Sequence, residues 1–112
     1  MTYSVEITEQ AQTDLRSIFE YIAFELQSMQ NAVNQLSKLE GEILSLDRMP
    51  ERYRRYGKEP WKSRGLRMMT VDRYCVFYVP NMETRVVQIV RVMYGGRNVE
   101  AELNRYAAEN EI

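Results

Sequence analysis

Leu66-Arg67-Met68-Met69-Thr70-Val71-Asp72-Arg73-Tyr74-Cys75-Val76-Phe77-Tyr78-Val79 is the stretch on which the fold turns. Its two apolar runs, Leu66 to Val71 and Tyr74 to Val79, are rich in β-branched and aromatic residues and are separated only by Asp72-Arg73. That pattern predicts two strands joined by a tight turn. Downstream, Pro80-Asn81-Met82-Glu83 is a second turn, and Thr84 to Met93 is a third strand whose Val and Ile content suits a central position. Gly95-Gly96 ends that strand, and Asn98 is placed to cap a short last helix through about Ala107.

Upstream the periodicity changes. Tyr3 to Ile7 alternates with period two, as a short strand does, and Thr8 is placed to cap a helix. Ala11, Leu15, Ile18, Ile22 and Leu26 recur at steps of three or four, with Phe19 widening the stripe, which predicts an amphipathic helix over 9–27. Ser28 is the expected cap of a second helix carrying the seam Met29, Ala32, Leu36, Leu39, Ile43 and Leu46. Gly41 within that seam costs about 1 kcal/mol relative to Ala, which the apolar contacts outweigh. Pro50 closes the helix, and residues 51–64, with Gly57 and Pro60, have no clear period and read as a loop. The short link at Ser28 makes the two helices an antiparallel hairpin. The expectation is one α+β domain over 1–112: an N-terminal strand, the hairpin packed on one face of a small, mostly antiparallel four-stranded sheet, and a short C-terminal helix. The other sheet face is then free to work.

Composition limits the chemistry. Histidine is absent and Cys75 is the single cysteine, so neither a zinc site nor any other metal or cofactor is expected. Any catalysis must use Lys, Arg, Tyr, Glu or Asp. Cys75 sits in an apolar run and reads as a buried, reduced thiol. No run approaches the ~20 apolar residues of a membrane span. Met1-Thr2-Tyr3-Ser4-Val5-Glu6 lacks the pattern of a signal peptide, so the expected home is the cytoplasm, away from membranes. The net charge of −1 hides a segregation. Residues 1–47 carry two bases against eight acids, whereas residues 48–73 carry nine bases against three acids. That middle segment either attracts a polyanion or offsets the acidic helices.

Alternation along the strands puts Arg67, Met69 and Val71 on one face of theirs, and Val87, Ile89, Arg91 and Met93 on one face of the last. An arginine is expensive to bury unpaired. Arg91 therefore either reaches an open face or pairs with an acid of the first helix, such as Asp14 or Glu20. Arg91, Tyr94, Arg97 and Asn98 form the densest polar cluster, around a glycine turn. Arginine forks suit phosphate, and tyrosine stacks on a base or donates a proton.

Arg91-Val92-Met93-Tyr94-Gly95-Gly96-Arg97-Asn98 resembles the last-strand signature of the RelE/ParE superfamily of toxins. Pro50 after the hairpin, Gly65-Leu66-Arg67 opening a strand, and Tyr74-Cys75-Val76-Phe77-Tyr78-Val79 fit the same pattern, over about residues 3–98. The resemblance implies a toxin of a type II toxin–antitoxin module, neutralised by a cognate protein antitoxin. One branch of the superfamily cleaves messenger RNA on the ribosome; this is the expected activity, with the ribosome and messenger RNA as partners, and for it the resemblance implies a catalytic set of Glu59, Lys62, Arg67, Tyr94 and Arg97. Arg64, Arg91 and Asn98 would contact RNA or another target. Met93 stands where one group of these nucleases has a histidine. The other branch inhibits DNA gyrase and needs no nuclease residues. A third possibility is an inactive relative that only binds antitoxin.

Overall fold

The computed structural model describes residues 2–96 and 98–110. The elements are β1 (Ser4–Ile7), α1 (Glu9–Glu20), a π-helical turn (Tyr21–Glu25), α2 (Met29–Leu44), 3-10 turns at Ser45–Asp47 and Pro50–Arg52, β2 (Arg67–Val71), β3 (Tyr74–Asn81), β4 (Val86–Tyr94) and α3 (Val99–Asn110). The fold is α+β. The sheet order is β1-β4-β3-β2, with β1 parallel to β4 and the other pairs antiparallel. The third strand of the 66–94 region is thus internal, as its composition suggests.

Local chemistry explains most boundaries. Thr8 Oγ1 accepts a hydrogen bond from the Ala11 amide at 3.1 Å and caps α1. Asp72 takes a left-handed conformation (φ 54°) in the β2–β3 turn, which a short polar side chain tolerates. Its carboxylate accepts from Lys38 Nζ at 2.7 Å and Gln35 Nε2 at 3.1 Å, pinning the turn to α2. Asn81 Oδ1 accepts from the amides of Glu83 and Thr84 and organises the β3–β4 turn.

Three expectations need correction. The first helix does not run on as α-helix to Gln27. Leu26 N–H bonds to Tyr21 C=O at 3.0 Å, the wider π spacing, and Gln27 has φ 52°. The widened turn takes Leu26 out of the apolar stripe, so Leu26 and Phe24 are left well exposed. Ser28 does not cap α2 with its side chain; only its carbonyl serves, accepting from Ala32 N–H at 3.0 Å. Finally, the second sheet face is not free. Ala11, Leu15, Leu39, Ile43 and Leu46 cover one face, but Leu103 and Tyr106 of α3 join Trp61 and Leu66 over Phe77, Val90 and Met93 on the other.

The face assignment of β4 changes for a related reason. Tyr78 pairs with Ile89 and Phe77 with Arg91, so Val90 is an extra residue, a β-bulge. Val87 and Ile89 lie under the helical hairpin, but beyond the bulge it is Val92 that does so, while Met93 turns toward α3. The four residues expected to share a face are divided by that one insertion.

Candidate functional site

At the Arg67 end of the sheet the candidate residues are engaged by their own chain. Arg67 opens β2 beside Tyr78, and its Nη1 donates to the carbonyls of Glu51 at 3.0 Å and Tyr53 at 2.6 Å. Tyr78 Oη, buried next to it, donates to Pro50 C=O at 2.7 Å, and burial pushes its phenol up to about 12. Arg67 and Tyr78 together hold the 50–53 turn against the sheet. Glu59 accepts from both the amide (2.9 Å) and the hydroxyl (2.7 Å) of Ser63. Those bonds, side chain first, hold its carboxyl below its ordinary range and fix it as an anion. A general base works best with a pKa near the working pH, and Glu59 is moved away from it. Arg64 lies over the Trp61 ring at 5.7 Å, and Trp61 is buried against Tyr106 of α3. Lys62 is exposed. Pro60 follows Glu59 through a cis peptide bond.

The opposite end is built differently. β1 stops pairing with β4 at Ile89, and Asp14 of α1 takes over the exposed edge. Asp14 Oδ2 accepts from the Val92 amide at 2.9 Å and from Arg91 Nε at 2.8 Å, while its Oδ1 accepts from Arg91 Nη2 at 3.0 Å. The fork is bidentate and buried at both partners. Arg91 Nη1 also lies 3.7 Å from Glu102 of α3. Burial opposes the Arg91 charge, but the Asp14 hydrogen bond and charge outweigh it and raise its pKa above the usual value. Of the two readings open for Arg91, the ion pair with Asp14 is the one present. Its guanidinium is a structural tie between α1, β4 and α3.

Tyr94 ends β4 half-exposed, its ring edge-on to Tyr74 at 5.9 Å. Its aromatic carbons lie so close to Gly96 that a Cβ there would meet one at 2.6 Å, which accounts for that glycine. Gly95 N–H bonds to Arg73 C=O at 2.8 Å and closes the sheet end. Asn98 Oδ1 accepts from Ala101 N–H at 3.2 Å and serves as the cap of α3. Arg97 lies outside the described residues. Arg67 and Tyr94 are not brought together: the register places Arg67 with Tyr78 and Ile89, and Tyr94 with Tyr74 and Val71. Four residues of β2 separate the two ends, about 13 Å at ~3.3 Å per residue.

Beside Tyr94 lies a cleft of about 660 Å³ between α1 and the sheet end, walled by Tyr21, Tyr74, Tyr94 and Arg73. Arg73 and Tyr74 also border a second cleft of about 440 Å³ over α2. The sequence reading missed Arg73, Tyr74, Tyr21 and Asp14 as a group. Only the Asp14 pairing was legible, from the need of a mid-strand arginine for an acid. Among the described residues no cluster of potential metal ligands occurs.

The family model for the ParE toxin of type II toxin–antitoxin systems matches residues 5–99. The chain belongs to the ParE toxin family. Solved structures agree in fold. A chain of the chromosomal ParDE system from P. aeruginosa superposes with a TM-score of 0.69 at 18% identity, over 83% of this chain and 96% of that one. A chain of the RelBE2 toxin–antitoxin complex from Mycobacterium tuberculosis gives 0.65 at 21% identity, over 84% and 92%. A free RelE mutant from E. coli gives 0.64 at 15% identity, over all of both chains. No curated protein matches the chain in sequence. Among the described residues, no helix of this ParE-family toxin is long and apolar enough to cross a membrane.

Proposed function

We propose that this toxin is held by a cognate protein antitoxin and, when released, arrests growth by binding a protein target, DNA gyrase, rather than by cutting messenger RNA. The observation that carries this reading is the state of the nuclease candidates. Arg67 is bound to two main-chain carbonyls, Glu59 is fixed as an anion by Ser63, and Tyr94 stands a sheet length away. Phosphate-cleaving chemistry needs such groups converged on one reacting atom within hydrogen-bond reach. Met93, at the position where some relatives have a histidine, faces the α3 core and offers no proton donor. The family match supports the same branch. The antitoxin is inferred from the toxin–antitoxin complexes among the structural neighbours.

The ribosomal reading keeps one supporting observation, the basic surplus of residues 48–73. Two assays on the same protein separate the readings. Purified toxin is titrated into a gyrase supercoiling reaction, and messages from induced cells are mapped by primer extension. Dose-dependent loss of supercoiling without new message ends is expected. Untouched supercoiling at saturating dose together with new message ends would overturn the proposal in favour of cleavage.

A further inference from the structure

The two ends of the helical hairpin are both apolar and carry opposite charge. At the tip, where the chain passes from α1 to α2, Phe24, Leu26, Met29 and Val33 are 44 to 62% exposed. Met29 and Val33 lie one turn apart on the same face of α2. The π-helical turn at Tyr21–Glu25 and the left-handed Gln27 (φ 52°) leave Phe24 and Leu26 outside the core. Glu20 and Glu25 bracket Phe24 in the chain, exposed and without an ion-pair partner among the described residues. No Lys or Arg occurs between Arg16 and Lys38, so the local sequence does not neutralise them. At the far end of α2 the chain makes a knuckle over 44–52. Arg52 Nη1 donates to the carbonyls of Ser45 (3.4 Å), Arg48 (2.6 Å) and Met49 (3.3 Å), which gathers those residues around one guanidinium. Tyr78, bonded to Pro50 C=O, fixes the same turn to the sheet. Within it Met49 takes a left-handed conformation (φ 46°) and is 72% exposed, and Leu44, next to Ser45, is exposed as well. Bulky side chains rarely adopt positive φ, and such strain persists only where the surroundings impose it, often at recognition sites. Residues 44–55 carry Arg48, Arg52, Arg54 and Arg55 against Asp47 and Glu51, and Glu51 already accepts from Tyr3 Oη at 3.1 Å.

We propose that the knuckle of one copy docks on the hairpin tip of another, so that this chain associates head to tail with itself. Met49 and Leu44 supply the apolar anchor, set among Phe24, Leu26, Met29 and Val33, and Arg48 faces Glu20 and Glu25. Charge complementarity picks the occupant. An apolar patch rimmed by unpaired acids fits an apolar projection rimmed by bases, and this molecule carries both. The 16 residues of α2 hold them about 24 Å apart, at ~1.5 Å per residue. They are therefore two different surfaces, and their pairing is heterologous. Each added copy leaves one tip and one knuckle free, so association continues past two copies unless a ring closes. The opposite charges of residues 1–47 and 48–73 orient the copies as they meet. The inference is independent of whether the toxin's target is gyrase.

The test is sedimentation velocity of the full chain over a range of concentrations, in low salt and in about 0.5 M sodium chloride. In low salt the average mass should rise with concentration beyond that of a dimer, and the added salt should weaken association roughly fivefold or more. Met49→Glu spoils the knuckle and Phe24→Lys spoils the tip. Both residues are exposed, so both variants should keep the wild-type circular dichroism spectrum. Each variant alone should be monomeric. Mixed in equal amounts they should form a one-to-one pair and grow no further, because one keeps its tip and the other its knuckle. If either substitution disturbs the fold, Arg48→Glu and Glu25→Lys repeat the test with charge alone: each should associate weakly by itself and strongly in the mixture. A wild-type chain that stays monomeric at every concentration and in both salts would overturn the proposal and leave the tip to a different protein. A dimer that does not grow with concentration, or variants that fail to pair when mixed, would overturn it too.

Discussion

The two ends of the sheet use their charged residues in opposite ways. At the Arg67 end, basic residues are numerous and the chain itself occupies several of them, Arg67 on carbonyls, Arg64 over Trp61, and Lys58 on Glu100 of α3 at 2.6 Å, while Lys62 stays exposed. At the Tyr94 end there are fewer, and the buried one, Arg91, is fully matched by Asp14. That matching leaves Arg73 as the open cation of an aromatic cleft. The density of basic residues in the sequence therefore points to the end that holds itself together. The end with open surface is marked by tyrosines and a strand that outruns its neighbour.

Breaking the comparison should have its largest effect at the buried fork. Asp14→Ala removes the bidentate partner of Arg91, leaving it only Glu102 at 3.7 Å, and leaves the Val92 amide without its acceptor; breaking a buried pair from one side typically costs about 3–5 kcal/mol. Urea unfolding should show that loss, and replacing Asp14 and Arg91 together with Leu should recover much of it. Equal stability of Asp14→Ala and wild type would mean that the fork is not a structural tie. An intermediate effect of opposite sign is expected at Gly41. A Cβ there meets nothing within 4 Å, so Gly41→Ala should stabilise α2 by about 1 kcal/mol, read in the same assay.

Gly96→Ala sharpens the contrast between stability and surface. The new methyl group would meet the half-exposed Tyr94 ring at 2.6 Å and push it off its edge-on contact with Tyr74, so the melting temperature should fall slightly, and by much less than in Asp14→Ala. The smallest effect belongs to Glu59. Its folded pKa is depressed, so its bonds to Ser63 contribute above the unfolded carboxylate pKa and are lost as pH falls through the folded value. Trp61, the single tryptophan and packed beside that turn, reports the change. Acid titration of Trp61 fluorescence should show a step in that window, absent in Glu59→Gln. A step of the same size in both proteins would detach it from Glu59.

The order of elements and the helical stripes were legible because apolar periodicity directly records which face is buried. The Asp14–Arg91 pair was legible as one of two outcomes, because burying a mid-strand arginine demands an acid. The bulge at Val90 was not. Ile89-Val90-Arg91-Val92-Met93 is apolar at every position but one, so no alternation marks where the faces exchange. The cover on the second face was hidden for a different reason. Leu103 and Tyr106 read as a weak stripe on a short helix, and Trp61 sits in a stretch whose basic neighbours draw attention to charge rather than packing. The composite site expected from Glu59, Lys62, Arg67, Tyr94 and Arg97 needed Arg67 and Tyr94 side by side, whereas these two lie at opposite ends of one sheet, a separation set by strand register. Only pairing partners reveal that register.

If growth arrest comes from binding a protein target and not from a nuclease centre at the Arg67 end, DNA synthesis stops before protein synthesis. Labelled thymidine and labelled amino acids supplied to cells during the first minutes after induction separate the two. Thymidine incorporation should fall first, with amino-acid incorporation following. An immediate stop in amino-acid incorporation while thymidine incorporation continued would contradict the account.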